Sequence, residues 1–258
     1  MWQVALSLTL AVLICFPAAI ASTSTSSLPN PLAVPTQGAP VPTAARALPA
    51  CSYADETTPL ARYDDWALTL LDTRYALPSS YVPADLVSTR AAGLNGGYLV
   101  RAVAVPDLTA IAGAAAAAGA PLAVISAYRT YRTQSATFWK WVRTLGFNYA
   151  LLSSARPGHS EHQLGLAIDF ESRGGPLPWA YYSWARDTKA GKWMAAHAWE
   201  YGFVMSYPAG KTAKTCYDFE PWHFRYVGRS EAATVHASGL TLREWLWLQQ
   251  PQPAQPAG

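Results

Sequence analysis

The sequence has few charged residues. Asp, Glu, Lys and Arg make up 14% of its 258 residues, and the formal net charge is only +3. A charge so small and so scattered does not provide the basic surface that nucleic-acid binding requires, so we expect no nucleic-acid partner. Hydrophobic residues make up 51% of the chain, enough for a sizeable core in one large domain or two small ones.

The sequence also lacks several informative motifs. No internal repeat is present, which argues against solenoids and propellers. Neither GxSxG nor SxxK occurs, and no base is evident as a partner for a cysteine nucleophile. Catalysis by a serine or cysteine nucleophile is therefore disfavoured.

The N-terminal segment has no Lys or Arg before Arg46, although it carries the apolar run VALSLTLAVLICF. That run has the length of a signal-peptide core, and AIA at 19–21 offers small residues for cleavage. We predict a signal peptide over 1–21 and an exported, extracytoplasmic protein that has no membrane contact after cleavage. An uncleaved anchor is the alternative, although the run is short for a span of about 20 residues.

The next segment, 22–50, is rich in Ser, Thr, Pro and Ala and is predicted to be an extended linker. The end of the chain, 250–258, has a similar composition and is predicted to be a disordered tail. The folded domain is therefore expected over 51–249.

The chain has only three cysteines, of which the signal peptide would remove Cys15. The even pair that is left, Cys51 and Cys216, suggests a disulfide in an exported protein. Two unpaired thiols, or Cys216 as a metal ligand, are the alternatives.

Helical and strand patterns alternate irregularly along the domain, and the strands are concentrated in its second half. DDWALTLLDT, VPDLTAIAGAAAAAGA, TYRTQSATFWKWVRTLG, DTKAGKWMAAHAWEYG and TLREWLWLQ predict helices, with Asp107 as one cap and Thr241–Glu244 as a capping box. PLAVISAY, LGLAIDF, FVMSY and WHFRYVG predict strands. We therefore predict an α+β domain, with helices packed on one side of a small, mostly antiparallel sheet.

Only five histidines occur, and two of them lie near acidic residues. His162 precedes Asp169 by seven positions, and His223 follows Glu220 by three. A catalytic zinc needs about three His or carboxylate ligands, an open position for water and a base that is not a ligand. His162, Asp169 and His223 can supply the ligands, and Glu220 can supply the base.

Three separated motifs resemble the VanY-like D-alanyl-D-alanine carboxypeptidases, a zinc peptidase group that includes D-Ala-D-Ala dipeptidases and some phage endolysins. They are SEHQLGLAID at 160–169, EPWHF at 220–224 and SAYRTYRTQ at 126–134. LDTRYALPSSYVPADLV at 71–87 resembles the stretch that enters such domains. The resemblance extends over about 64–249.

The resemblance implies roles residue by residue. His162, Asp169 and His223 match the ligands of one zinc ion, and Glu220 matches the catalytic base. Arg129 matches the arginine that stabilises charge on the scissile carbonyl.

Further residues are assigned to the substrate pocket. Ser160 and Gln134 match pocket-lining residues, although either could serve only its local structure. Trp222, beside the third ligand, is expected to form a wall of the pocket.

The implied function is zinc-dependent removal of the C-terminal D-alanine from peptidoglycan stem peptides. We expect the protein to be a monomer. The same site could serve an L,D-carboxypeptidase or an endopeptidase on cell-wall peptides. A different class is a non-catalytic wall-binding module that keeps zinc as a structural clip. Glu220 argues against that class. A structural zinc site usually has four protein ligands and no open position, whereas this site has three candidate ligands and a free carboxylate.

Overall fold

The computed structural model describes residues 46–178 and 182–251. The predicted signal peptide, the linker up to residue 45 and residues 252–258 of the predicted tail lie outside these ranges. Within them, no helix has the length and apolar character needed to cross a membrane.

Eight helices and eight strands are found in the described part of the chain. The strands are β1 Glu56–Thr57, β2 Tyr75–Ala76, β3 Leu86–Ser88, β4 Leu99–Arg101, β5 Leu122–Ser126, β6 Ala167–Ser172, β7 Phe203–Met205 and β8 His223–Tyr226. The helices are α1 Val105–Ala117, α2 Tyr131–Leu145, α3 Phe147–Ser153, α4 Tyr182–Asp187, α5 Lys189–His197, α6 Thr212–Thr215, α7 Arg229–Ser238 and α8 Leu242–Gln249.

A four-stranded antiparallel sheet with the order β5-β6-β8-β7 forms the centre of the domain. Two small pairs, β1-β2 and β3-β4, lie outside it. The predicted fold class, α+β with a small and mostly antiparallel sheet, is confirmed.

The two faces of the central sheet differ in chemistry because side chains alternate along each strand. Ile168 and Phe170 of β6 and Phe224 of β8 join α1 and α5 residues in the main buried core. Asp169 and His223 occupy the alternate positions and therefore face the other side of the sheet. This polar face carries the candidate site.

Two of the predicted helix signals are wrong. Over 64–73 the structure has only a 3₁₀ turn, Tyr63–Asp65, followed by irregular chain. Leu70 and Leu71 of this irregular segment pack into different buried clusters. Asp107 is not a cap, because α1 begins at Val105; its carboxylate instead accepts hydrogen bonds from Tyr226 and Arg229.

The capping box at the last helix is present as predicted. The Thr241 hydroxyl accepts from the backbone N–H of Glu244, and the Glu244 carboxylate accepts from the backbone N–H of Thr241. These two bonds satisfy N–H groups that the helix itself leaves unpaired at its N-terminus.

Residues on either side of the predicted domain, 51–249, make contacts with it. The Arg46 guanidinium lies 3.5 Å from the ring centroid of Trp247, and the Trp247 indole donates to the carbonyl of Ala47. At the other end the buried Gln250 amide donates to the carbonyls of Leu68 and Leu246. Trp247 thus holds residues that composition assigned to the linker, and the carbonyls of Leu68 and Leu246 hold Gln250.

A disulfide joins Cys51 to Cys216, with the two Cα atoms 5.5 Å apart. Cys216 is therefore not available as a metal ligand. It lies four residues before Glu220, and its φ of +66° makes it the one non-glycine residue of the described ranges in the left-handed region. The bond ties the start of the domain to the segment that leads into the candidate site.

Replacing both cysteines by serine is expected to lower the free energy of unfolding by about 3–5 kcal/mol, because the bond closes a long loop in the unfolded chain. The two residues are 165 positions apart. Urea unfolding of the oxidised protein, with and without reductant, measures the loss. The double serine variant is the control and should not respond to reductant; equal midpoints for oxidised and reduced protein would contradict the expectation.

Candidate metal centre and its cleft

Two candidate ligands are brought together by strand register. Asp169 of β6 is paired directly with His223 of β8. Directly opposed residues of an antiparallel pair have Cβ atoms about 5 Å apart on the same face. The Nδ1 atom of His223 accordingly lies 2.9 Å from Oδ1 of Asp169.

The third candidate ligand comes from a short turn before β6. His162 lies in a 3₁₀ turn, Glu161–Leu164, which ends at Gly165. Gly165 has a φ of +71°, and a Cβ there would lie 3.0 Å from the Leu86 side chain, so glycine suits this turn. The turn redirects the chain into β6 and leaves the rings of His162 and His223 4.9 Å apart.

The protonation of His162 follows from its neighbours. Its Nδ1 atom lies 2.7 Å from the carbonyl oxygen of Ala127, which can only accept, so Nδ1 carries the proton. Burial, followed by the charge of Arg129, lowers the pKa of His162 to about 4, which keeps the ring neutral near pH 7. The Nε2 lone pair therefore points into the site, where Nε2 has no hydrogen-bond partner among the described residues.

His223 has acidic groups on both ring nitrogens. Besides the contact of Nδ1 with Asp169, Nε2 lies 2.9 Å from Oε2 of Glu161. Burial lowers the pKa of His223, but the hydrogen bonds to Asp169 and Glu161 outweigh it and raise the pKa to about 10. The Nδ1 position thus attracts a cation, whether a proton or a metal ion.

The donor atoms of these three residues suit a tetrahedral metal ion. Nε2 of His162 lies 3.3 Å from Oδ2 of Asp169, and one ligand atom from each residue falls within 4.8 Å of the others. Two ligands at 2.0–2.1 Å from zinc lie about 3.3 Å apart at the tetrahedral angle. The lone pair of the neutral His162 Nε2 faces a lone pair of the Asp169 carboxylate. Two facing lone pairs repel each other unless a cation lies between them. The residues therefore fit Zn²⁺.

Glu220 lies beside this cluster without joining it. Its Oε2 atom is 3.9 Å from Nδ1 of His223, and its side chain is 18% exposed. Its backbone N–H donates to the carbonyl of Tyr207 and its own carbonyl accepts from His223, so the approach to β8 fixes its position. Burial raises the pKa of Glu220 to about 7, against the opposing charges of His223 and Arg129. A carboxyl group with such a pKa can take up and release a proton near neutral pH.

Arg129 is held over the site by three side chains. Its guanidinium donates to Ser126, to Gln134 Oε1 at 2.9 Å and to Asp169 Oδ2 at 3.2 Å. Gln134 is buried, and its amide nitrogen donates to the carbonyl of Ala155. Gln134 lines the cleft, and its polar atoms contact Arg129 and the carbonyl of Ala155.

The site opens into a cleft of about 600 Å³. Ser160 and Trp222 are both buried and line its wall, and the Ser160 side chain does not cap the 3₁₀ turn that follows it. The cleft continues along α2 past Trp141 to Leu145. The span from Gln134 to Leu145 on this helix is about 16 Å, the length of about five extended residues. The shape suits a short peptide with one end at the metal centre.

The other histidines lie away from the cluster. His159 is buried, with one ring nitrogen against Asp55 and the other against the carbonyl of Asp72. His197 contacts Glu200, and the exposed His236 stacks on Trp199.

Three residues near the site were not predicted. Glu161, Ser206 and Arg225 form a buried polar group behind His223. Side chains alternate along β8, so Arg225 lies on the same face as His223. This alternation was the one sequence feature that could have pointed to Arg225.

Comparison with known families identifies the chain. The family model of VanY, D-alanyl-D-alanine carboxypeptidase, matches residues 97–229, just over half of the sequence. The chain belongs to the VanY family. The VanY match contains the three candidate ligands as well as Arg129 and Glu220. The resemblance inferred from the motifs is confirmed.

Individual VanY relatives are similar over most of the domain. YodJ of Bacillus subtilis (strain 168) is 39% identical over 185 residues, which cover 69% of this chain and 66% of YodJ. A D-alanyl-D-alanine carboxypeptidase of Enterococcus faecalis (strain ATCC 700802 / V583) is 30% identical over 191 residues, covering 70% and 66%. The matched region thus spans slightly less than two thirds of either relative.

Solved structures show the same VanY fold. The LdcB LD-carboxypeptidase is 37% identical with a TM-score of 0.62, covering 70% of this chain and 86% of LdcB. The D,D-pentapeptidase VanY from a VanB-type resistance cassette, solved in complex with Zn(II), is 30% identical with a TM-score of 0.59, covering 70% and 99%.

Proposed function

We propose that the protein is a zinc-dependent carboxypeptidase that removes the C-terminal D-alanine from peptidoglycan stem peptides. The observation that carries this proposal is the buried set His162, Asp169 and His223 with the carboxylate of Glu220 beside it. A three-ligand site leaves one tetrahedral position open, as catalytic zinc sites do. Membership of the VanY family supports the substrate class.

His162 Nε2, an Asp169 oxygen and His223 Nδ1 would hold the metal. When bound, Zn²⁺ supplies a water molecule of lowered pKa and polarises the scissile carbonyl. Glu220 accepts a proton from the attacking water as a carbon–oxygen bond forms. It then passes the proton to the amine of the departing D-alanine as the carbon–nitrogen bond breaks. The proton taken from water thus leaves with the amine, and Glu220 returns to its ionised form.

Arg129 carries the second part of the proposed chemistry. Its charge is permanent, and its contacts with Gln134 and Asp169 hold the guanidinium in place before substrate binds. A donor that is already oriented stabilises the negative charge that develops on the carbonyl oxygen.

Replacing Arg129 by Lys is expected to lower kcat by about 10²–10³-fold, because lysine keeps one charge but cannot reproduce the three directed contacts. Zinc binding should persist, since the three ligands are unchanged. Steady-state kinetics of D-alanine release, with zinc content measured in parallel, tests this. A kcat within twofold of the unchanged protein would remove Arg129 from the mechanism.

An L,D-carboxypeptidase is the second candidate, favoured by the 37% identity to the LdcB LD-carboxypeptidase. The same ligands, base and arginine would serve it, so the difference lies in which residue precedes the scissile bond. Parallel assays with a pentapeptide that ends in D-Ala-D-Ala and a tetrapeptide that ends in a single D-alanine after an L-centre separate the two. Faster release from the tetrapeptide would favour the L,D activity.

An endopeptidase and a non-catalytic wall-binding module are weaker candidates. Internal cleavage would appear as peptide products without free D-alanine. A binding module gives Glu220 no task, although this carboxylate lies 3.9 Å from Nδ1 of His223. We further propose export to the cell envelope and a monomeric state, which fractionation of cells and size-exclusion chromatography can test.

A further inference from the structure

The buried carboxylate of Glu161 lies behind His223, on the side of the ring away from the metal centre. Its Oε2 atom is 2.9 Å from Nε2 of His223, and the residue is only 4% exposed. Glu161 directly precedes His162, so the same 3₁₀ turn delivers one candidate ligand and the partner of another. Neither the sequence motifs nor the proposed mechanism gives this carboxylate a role.

The surroundings of Glu161 require both of its oxygens to accept hydrogen bonds. Oε2 also accepts from the Ser206 hydroxyl at 2.6 Å, and Oε1 accepts from Nη1 of Arg225 at 3.3 Å. A carboxylate has no donor and satisfies all three partners. A carboxamide would turn its NH₂ group either towards Arg225, which can only donate, or towards Nε2 of His223, where it would favour the tautomer with the proton on Nδ1.

Arg225 neutralises the charge that Glu161 brings into the interior. It is fully buried, and its guanidinium also donates to the carbonyls of Trp66 and Tyr226. A buried carboxylate without a partner is strongly unfavourable, whereas one paired with a hydrogen-bonded guanidinium is tolerated. The pair thus keeps an ionised carboxylate permanently against His223.

We propose that Glu161, held by Ser206 and Arg225, is a positioning residue that fixes the tautomer and orientation of His223 for metal binding. A proton on Nε2 that is shared with Glu161 leaves the Nδ1 lone pair directed at Asp169 and the cleft. A carboxylate partner also makes the imidazole a stronger donor to the metal. His162 has only a neutral carbonyl, that of Ala127, in the equivalent place.

This inference rests on the metal centre of the proposed function, but its test does not require peptidase activity. Zinc affinity is measured by competition with a chromogenic chelator for the unchanged protein, Glu161→Gln, Glu161→Ala and Ser206→Ala. We expect affinity to fall about 10–100-fold in both Glu161 variants, the usual effect of losing such a partner, and less in Ser206→Ala. Affinities within twofold of the unchanged protein in folded Glu161 variants would overturn the proposal.

Asp72→Asn is the matched control. Asp72 is also a buried carboxylate paired with a buried arginine, Arg243, at 2.7 Å, but it touches none of the three candidate ligands. It should lower stability without changing zinc affinity. An equal loss of affinity in Asp72→Asn would assign the effect of Glu161 to general destabilisation.

Nitrogen-15 NMR of the zinc-loaded, unchanged protein provides a readout that does not depend on variant folding. The His223 ring should show a protonated Nε2 and a metal-bound Nδ1, and a proton on Nδ1 with the metal on Nε2 would overturn the proposal. If the unchanged protein binds zinc but hydrolyses no peptide, the proposed function fails while this test still decides the role of Glu161. If it binds no zinc, both proposals fail.

Discussion

Glu220→Gln is expected to leave a protein that binds zinc normally but releases D-alanine about 10²–10⁴-fold more slowly, the range for loss of a positioned acid–base group. The substitution preserves the shape of the side chain and the backbone contacts with Tyr207 and His223. It removes only the ability to accept a proton. Rapid-mixing or steady-state kinetics on a stem pentapeptide, with zinc content measured on the same sample, provides the test.

The pH dependence of the unchanged protein gives a second readout of Glu220. The base works when ionised, and burial raises its pKa to about 7. Activity should therefore fall as pH decreases through this value, or through a lower one, because a bound cation favours the ionised carboxylate. Glu220→Gln should lack this acid limb. If Glu220→Gln kept both the turnover rate and the loss of activity at low pH, the base would have to be another group.

Asp169→Asn is expected to abolish both metal binding and peptide hydrolysis. Asp169 contacts His162, His223 and Arg129 through its two oxygens. An amide in its place directs NH₂ at one of these partners and supplies no negative charge to a cation. The loss of zinc affinity should exceed the factor of about 10–100 typical for a supporting outer partner.

Equilibrium dialysis against zinc measures this loss, and Glu220→Gln is the matched control. Both variants neutralise one carboxyl group beside His223, but only Asp169→Asn removes a candidate ligand. Circular dichroism establishes whether each variant is folded. Stoichiometric zinc at unchanged affinity in Asp169→Asn would contradict the assignment of this residue to the metal centre.

The candidate ligands could be predicted because they lie in short, recognisable motifs. His162 and Asp169 belong to one ten-residue segment, and Glu220 and His223 to another. What could not be predicted is why they meet. The pairing of Asp169 with His223 depends on the register between β6 and β8, and the two residues are 54 positions apart in the sequence.

The group behind the site escaped prediction for the same physical reason. Glu161 and Arg225 are 64 positions apart, and each looks like an ordinary charged surface residue in the sequence. Their burial becomes favourable only when the fold brings the two charges together. A buried ion pair of this kind has no local pattern that a reader of one sequence could detect.

The errors in secondary structure also have tertiary causes. The segment 64–73 has helix-forming residues, but the Asp72 carboxylate accepts from the backbone N–H groups of Arg74 and Tyr75 and from Arg243. These contacts stabilise a turn instead of a helix. Helix α7, Arg229–Ser238, was not anticipated at all, because it buries only Ala232 and Val235 and its apolar stripe is weak.

Metal-dependent peptide hydrolysis is tested by measuring D-alanine release from a stem pentapeptide by the purified protein, before and after a chelator removes the metal. We predict that single D-alanine molecules are released, that chelation stops the release and that added Zn²⁺ restores it. Undiminished release by metal-free protein would contradict the metal-dependent mechanism. No release from stem pentapeptide or tetrapeptide by protein with one bound zinc would contradict the proposed function.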